Sequence, residues 1–103
     1  MNSKRALVLD PKDNVAVAVD PIQAGDRVTI ESKGRTHFFI EALEAIPFGF
    51  KLALADIPKE GHILKHGEVM GRATADIKVG AEVHVHNVKG IRASAESEDG
   101  RKR

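Results

Sequence analysis

The chain alternates short apolar and polar runs, and three of its segments resemble one another: 16-AVAVDPIQAGDRV-28, 52-LALADIPKEGHIL-64 and 72-RATADIKVGAEV-83. Each has alternating apolar positions, then an Asp, an Ile and, three or four residues later, a Gly. Such alternation predicts a half-buried strand. We expect the Asp to cap the following turn, and Gly25, Gly61 and Gly80 to leave that turn with positive φ. The repeated unit is therefore predicted to be strand, turn and strand.

The segments between these repeats also have the composition of strands. Residues 28–32 and 36–40 flank Lys33-Gly34, which predicts a hairpin. Residues 41–46 fit either a helical turn or a strand, and Pro47 ends whichever forms. Because no long stretch has a helical period, we predict a mostly β fold of short strands, with single helical turns at the Asp-Ile positions.

The length of 103 residues fits one domain with one modest core. We place that domain at residues 13–92, after an N-terminal segment at 1–12. Residues 93–103 contain no large apolar side chain, which predicts a disordered polar tail. A domain this small can hold a shallow site, whereas a closed pocket for chemistry more naturally needs a second domain or subunit.

Composition narrows the classes of partner. The net charge of +1, from 16 Lys and Arg against 15 Asp and Glu, gives no electrostatic footprint for nucleic acid or an anionic membrane. The absence of cysteine excludes disulfides, thiolate metal sites and cysteine nucleophiles. The apolar run near the start is too short for a signal peptide or a membrane span, so a cytoplasmic location is expected.

The stretch 83-VHVHNV-88 contains the first candidate site. On a strand, His84 and His86 would project from one face, where two imidazoles suit a divalent metal or a carboxylate. Asn87 beside them is a candidate for binding a substrate hydroxyl. An ordinary half-exposed strand explains the same pattern and is favoured by the pattern alone. Two histidines are also one ligand short of a catalytic zinc site.

A second cluster is 65-KHGEVMG-71. Lys65 could bind a substrate carboxylate and Glu68 could act as acid or base. The alternative is a charged turn with Gly67 at positive φ, which the pattern alone favours. Lys51 is a lone cation at the start of a predicted strand.

Several separated motifs resemble, in order, the amino-terminal module of the altronate and galactarate dehydratases. They are 47-PFGFKLAL-54, 65-KHGEVMG-71 and 83-VHVHN-87, and the upstream 13-DNVAVAVDPIQAGDRV-28 fits the opening of the same module. This module resembles the SAF domain, named for sialic acid synthases, type III antifreeze proteins and flagellar P-ring chaperones. The resemblance implies a β-clip fold, a compact set of short strands with single helical turns.

The resemblance also implies a function. The family dehydrates sugar acids with a divalent metal such as iron or manganese, and there the module is joined to a much larger domain. A related sulfolactate sulfo-lyase carries it as a separate small subunit beside a large catalytic chain. The implied function is therefore a lyase subunit, incomplete alone, acting on a sugar acid or hydroxy acid with a large dehydratase-like partner. Two alternatives remain, which are a non-catalytic carbohydrate-binding or assembly module and a fragment of a longer enzyme. A homo-oligomer is also compatible with the resemblance.

The motif positions carry the expected roles onto seven residues. The resemblance implies that His84 and His86 are catalytic groups or metal ligands. It implies substrate contact for Lys51, Lys65, Glu68 and Asn87, and Gly67 matches the glycine of the motif. Two positions depart from the pattern. Phe50 stands where the family motif has His, and His66 stands where it has Tyr, so the activity or the substrate is expected to differ if the motif histidine is a ligand or an acid–base group.

Overall fold

The computed structural model of the chain describes residues 3–90, which form nine short strands in two sheets. The strands are β1 (Ser3–Leu7), β2 (Val15–Ala18), β3 (Arg27–Ser32), β4 (Arg35–Glu41), β5 (Lys51–Ala53), β6 (His62–Lys65), β7 (Glu68–Ala73), β8 (Glu82–Val83) and β9 (Val88–Gly90). The mostly β fold is therefore confirmed. The tail predicted at 93–103 lies outside the described residues.

Two sheets share the strands unequally. Six strands form one sheet in the order β4-β3-β1-β2-β5-β8, and β6-β7-β9 form the other. Strand β1 lies inside the larger sheet, parallel to β3 and antiparallel to β2, although the sequence analysis assigned no strand to residues 1–12. Its position is secured by polar groups, because Lys4 forms an ion pair with Asp26 at 2.9 Å and the N–H of Arg5 donates to Asp20.

The hairpin predicted at Lys33-Gly34 is confirmed as β3 and β4. Both turn residues have positive φ, 53° at Lys33 and 77° at Gly34, which is the pattern of a type I′ turn. A register shift between Ile30 and Glu31 places a bulge in this pair, with His37 as the extra residue of β4.

One eight-residue unit occurs four times, once more than the sequence predicted. It begins with Ala, has Ile at its fifth position and ends at the residue with positive φ in the following turn. The units pair two by two, since Ile22 exchanges both backbone hydrogen bonds with Ile46, and Ile57 does so with Ile77. The four units are Ala18–Ile22–Gly25, Ala42–Ile46–Gly49, Ala53–Ile57–Glu60 and Ala73–Ile77–Gly80. Residues 41–46, predicted as helix or strand, are thus a bend that ends in a single bridge at Ile46.

The turns inside these units are not the single helical turns that the sequence predicted, and no helix occurs within residues 3–90. Each turn closes with an N–H donating to the carbonyl three residues earlier, with positive φ at the third residue, as in a type II turn. In the third unit that residue is Glu60, at φ 74°, and not Gly61 as predicted.

In the third and fourth units each aspartate caps the turn of the partner unit and not its own, whereas Asp20 of the first unit accepts from the N–H of Arg5 in β1. Asp56 accepts from the N–H of Val79 at 2.9 Å, and Asp76 accepts from the N–H of Lys59 at 2.8 Å. The predicted capping of the following turn is therefore wrong for this pair. Reciprocal capping is possible because the two units lie antiparallel, so the bend of one unit lies beside the turn of the other.

The apolar residues form two adjacent cores. The first contains four alanines and six larger residues, which are Ile22, Val28, Ile30, Ile40, Ile46 and Leu52. The second contains Val15, Ile57, Ile63, Ile77 and Val83, together with small residues. Strands β2 and β5 contribute to both. Among the described residues there is no helix long and apolar enough to cross a membrane.

Candidate functional site

The stretch VHVHNV is a strand, a tight turn and a second strand. Strand β8 ends at Val83, β9 begins at Val88, and residues 84–87 form the turn between them. The strand predicted through both histidines is therefore wrong. The alternation of polar and apolar residues is the same in both cases, but here Val85 lies at the tip of the turn with 79% of its surface exposed.

Asn87 explains why the chain turns at this point. Its side-chain oxygen accepts from the N–H of His84 at 2.9 Å, and its side-chain nitrogen donates to the carbonyl of Glu82 at 2.8 Å. The N–H of Asn87 also donates to the carbonyl of His84. An asparagine that satisfies nearby backbone groups in this way competes with strand pairing. Both ends of its amide are engaged in the turn, where the sequence analysis gave it a substrate-binding role.

The two histidines of the turn have different surroundings. The His84 ring lies against the Phe50 ring, with centroids 4.4 Å apart and planes tilted by 39°. Phe50 itself packs on the first core, so it offers a fixed surface for the imidazole. His86 is exposed and is not among the residues that line the groove described below.

A groove of about 210 Å³ opens beside His84. It lies between β5, the second sheet and the β8–β9 turn. Most of its walls are apolar, and its ionisable side chains are those of Lys51 and His84. The full lining is Lys51, Ile63, Met70, His84, Val85, Val88 and Gly90. Such an apolar recess with a few convergent polar groups is the usual form of a small-molecule site.

Lys51 is half-buried at the edge of this groove. Burial lowers the pKa of its ammonium group, and the positive charge of Lys65 lowers that pKa further. Two ammonium groups that repel each other beside a groove are stabilised when an anion binds between or near them. The structure therefore brings together Lys51, Lys65 and His84, three of the residues predicted from sequence.

The cluster 65-KHGEVMG-71 spans the end of β6, the turn at His66-Gly67 and the first residues of β7. His66 and Gly67 both have positive φ, 58° and 75°, so the predicted conformation of Gly67 is confirmed. Lys65 lies opposite Glu68 across the turn. Glu68 and His66 are exposed, and neither lines the groove.

Asp13 and Asn14 position this turn, although neither was among the residues predicted for the site. The carboxylate of Asp13 accepts from the N–H of His66 at 3.0 Å and from that of Gly67 at 2.8 Å. Asn14 accepts from the N–H of Leu64 and donates to the carbonyl of His62. In the sequence these residues appear only as an Asp-Asn pair before an apolar run. Nothing in that pattern indicates that they bind the backbone of the turn at residues 64–67.

The donor set does not fit a complete metal site. Among residues 3–90, no three His, Asp or Glu side chains gather so that they could hold a metal ion. His84 lies against Phe50 in the groove, whereas His86 is exposed outside it. Because a catalytic site needs at least three protein ligands for zinc and a similar number for iron, we derive no chemical step through a metal on this chain.

Short strands in two sheets, two interlocked pairs of turns and a groove lined in part by Lys51 and His84 define a small β module with a candidate small-molecule site. The sequence pattern of one family, the altronate/galactarate dehydratase SAF domain, matches residues 4–90. The chain belongs to this family, as its motifs predicted.

Individual relatives fall into two size classes. Subunit alpha of (2R)-sulfolactate sulfo-lyase from Chromohalobacter salexigens is 38% identical over 86 residues, which cover 81% of this chain and 90% of that subunit. Altronate dehydratase from Bacillus subtilis is 36% identical, over 84% of this chain but 16% of its own length. Galactarate dehydratase (L-threo-forming) from Escherichia coli is 39% identical over 67% of this chain and 12% of its own. The chain thus spans nearly all of the small relative and less than a fifth of the large ones.

Proposed function

We propose that this chain is the small-subunit module of a lyase that eliminates water or sulfite from a hydroxy acid, with a larger dehydratase-like chain completing the active site. Family membership supports the reaction class, because both groups of relatives are named as enzymes that break a bond by elimination. The observation that carries the proposal is the groove in which Lys51, with Lys65 nearby, lies beside His84.

The chemistry of elimination matches these groups. Removal of a proton beside a carboxylate needs a cation to bind that carboxylate, a base to take the proton and an acid to assist the leaving group. Lys51 and Lys65 bind the carboxylate in this proposal, and their mutual repulsion decreases when it arrives. The apolar walls of the groove lower the local dielectric constant and so strengthen this attraction.

His84 acts as the acid–base group on this chain. Its ring packs against the Phe50 ring, its backbone N–H donates to the side chain of Asn87, and it lines the same groove as Lys51. Asn87 therefore contributes by positioning His84. His86 and Glu68 are exposed on their turns, where a larger partner chain can use them for catalysis or substrate contact.

The partner supplies what this chain lacks. If the assembled enzyme uses iron or manganese, the large chain must supply at least one of the ligands, because the described residues do not gather three. His84 and His86 would add at most two imidazoles to such a site. The proposal thus assigns carboxylate binding to this chain and the remaining catalytic groups to the larger one.

The test is to purify the tagged chain from its native cells, identify a stoichiometric large chain by mass spectrometry and assay the complex on sulfolactate, altronate and galactarate. His84→Ala, His86→Ala and Lys51→Met should each abolish or strongly lower turnover. His62→Ala is the matched control, since that imidazole is exposed and does not line the groove.

Two results would contradict the proposal. Full turnover in complexes carrying Lys51→Met or His84→Ala would remove the groove from the reaction. Recovery of this chain without any dehydratase-like partner would instead favour a non-catalytic binding or assembly module. Titration of the isolated chain with each acid, followed by NMR of His84, separates carboxylate binding from catalysis because it needs no partner.

A further inference from the structure

The groove beside His84 is the open end of the second core. Ile63, Gly71 and Gly90 lie in a row across the second sheet, because the register pairs Ile63 with Gly71 and Gly71 with Gly90. Ile63 is buried in the second core and also lines the groove, and Val88, which packs against the same core, does so too. Because paired residues present their side chains on one face of a sheet, the floor of the groove is the core-facing side of the second sheet.

A floor of this kind offers few partners to a hydroxyl group. Backbone N–H and C=O groups lie in the plane of a sheet and point along it, whereas the face of the sheet presents side chains. The backbone of His84 is engaged as well, since its N–H donates to the Asn87 side chain and its carbonyl accepts from the N–H of Asn87. The large apolar side chains that line the groove are those of Ile63, Met70, Val85 and Val88.

The polar side chains of the groove suit one carboxylate and one hydroxyl. Lys51 lies two residues before Ala53 in β5, so its side chain is on the same face as Ala53, which is buried in the second core. Among the described lining residues Lys51 is the one lysine or arginine, and His84 is the other ionisable residue. A second anionic group or a row of hydroxyls would lie against apolar walls, where unpaired polar groups are costly.

We propose that the groove binds a hydroxy acid with a hydrocarbon body, its carboxylate at Lys51 and its single hydroxyl at His84, and discriminates against acids that carry hydroxyls along the whole chain. This inference rests on the proposed function and names the class of acid that the same site accepts. The groove volume of about 210 Å³ lies below the roughly 300–1,000 Å³ of drug-sized pockets, so the acid is small.

Two acids with the same carbon skeleton test this discrimination. Both 2-hydroxyhexanoate and gluconate have a carboxylate with a hydroxyl beside it, but gluconate has four further hydroxyls. Titration of the full chain with each acid, followed through the ring resonances of His84 in NMR spectra, gives two dissociation constants without a partner chain. A hydrophobic pocket rejects a ligand with one added hydroxyl by about 100-fold. Because Met70 and Val85 leave the groove open to solvent, some hydroxyls stay hydrated, and we expect 2-hydroxyhexanoate to bind ~10-fold more tightly or better.

Matched substitutions locate the discrimination in the groove. Val88→Thr adds a hydroxyl to the wall at nearly constant shape and should reduce the preference by about 2–10-fold, the effect of one hydrogen bond. Val69→Thr is the control, since it is the same change at an exposed position of β7 that does not line the groove. Met70→Gln is a second groove variant at an exposed side chain, where the fold tolerates a polar group. Lys51→Met should weaken both acids alike and leave their ratio unchanged.

The outcomes separate this inference from the proposed function. Equal or tighter binding of gluconate, with the His84 resonances shifted, would overturn the class of acid and leave the elimination reaction in place. Tighter binding of sulfolactate than of 2-hydroxyhexanoate would do the same, because its second anionic group would then have a partner in the groove. So would a preference that neither Val88→Thr nor Met70→Gln changes. Unshifted His84 resonances with all three acids would remove the groove as a substrate site, and both proposals with it.

Discussion

Replacing Gly80 by alanine should destabilise the fold more than the same replacement at Gly25, although the two glycines occupy equivalent positions in the repeated unit. Both have positive φ, +91° at Gly80 and +89° at Gly25, so the backbone cost of adding a side chain is the same. That cost is roughly 1–2 kcal/mol for an ordinary residue in the left-handed region.

The surroundings of the two glycines differ. A Cβ at Gly25 meets no heavy atom within 4 Å, whereas a Cβ at Gly80 would overlap the carbonyl oxygen of Glu41. The carbonyl of Gly80 also accepts from the N–H of Leu43 at 2.9 Å, so any backbone shift strains that bond. Overpacking of this kind costs roughly 1–3 kcal/mol. We therefore expect Gly80→Ala to exceed Gly25→Ala by about that amount.

Glu60 provides the reverse experiment at the same position of the third unit. It has φ 74° without being glycine, so Glu60→Gly should relieve backbone strain. The variant loses the ion pair with Arg72, whose atoms are 3.5 Å apart on the surface, but an exposed pair of this kind contributes little. The net effect should be a stabilisation of up to ~1 kcal/mol.

Urea unfolding of the four proteins, followed by circular dichroism, measures these differences as changes in the midpoint at constant slope. From the most to the least stable protein, the expected order is Glu60→Gly, the unmodified chain, Gly25→Ala and Gly80→Ala. Equal losses at Gly25 and Gly80 would show that the Glu41 carbonyl moves away freely and that the junction between these elements is not closely packed.

Three further changes test single side chains. Asp26→Asn should lower the urea midpoint at neutral pH, because hydrogen bonds from Gln23 and Lys4 hold the pKa of Asp26 below its usual 3.8. That contribution is complete above pH 3.8 and is lost as pH falls through the lowered pKa, so the two proteins should converge in acid. Asp13→Ala should cost about 2 kcal/mol by freeing two backbone donors, measured by urea unfolding. Asn87→Ala should shift the ring resonances of His84 in NMR spectra, and unchanged resonances would mean that the amide does not position this ring.

Local features of the sequence predicted local structure well. Lys33-Gly34 identified its hairpin because the conformation of a two-residue turn depends on those two residues. The repeats identified strand and turn positions for the same reason. The VHVHNV stretch is the exception, since its alternation indicated a strand while the amide of Asn87 closes a turn on His84. Alternation alone cannot show which polar side chain will bind the backbone.

Contacts between distant parts of the chain were not predictable in this way. The pairing of Ile22 with Ile46 depends on two bends meeting, and the unit at Ala42 was missed because it has Glu44 and Ala45 where the other units have Asp before Ile. Strand β1 was missed because only Ala6 in it is fully buried. The candidate residues Lys51 and His84 were found in separate motifs, and only the fold showed that they line one groove.

The contribution of β2 and β5 to both cores affects how the protein unfolds. Val15 and Ala16 are neighbours in β2, yet one belongs to the second core and the other to the first; Ala53 and Leu52 do the same in β5. If either core unfolds, β2 and β5 lose their positions, and the other core then loses the side chains that these two strands contribute to it. The described domain should therefore unfold as one cooperative unit. Hydrogen exchange should then give the same opening free energy for the amide protons of both cores. That value should equal the free energy of global unfolding.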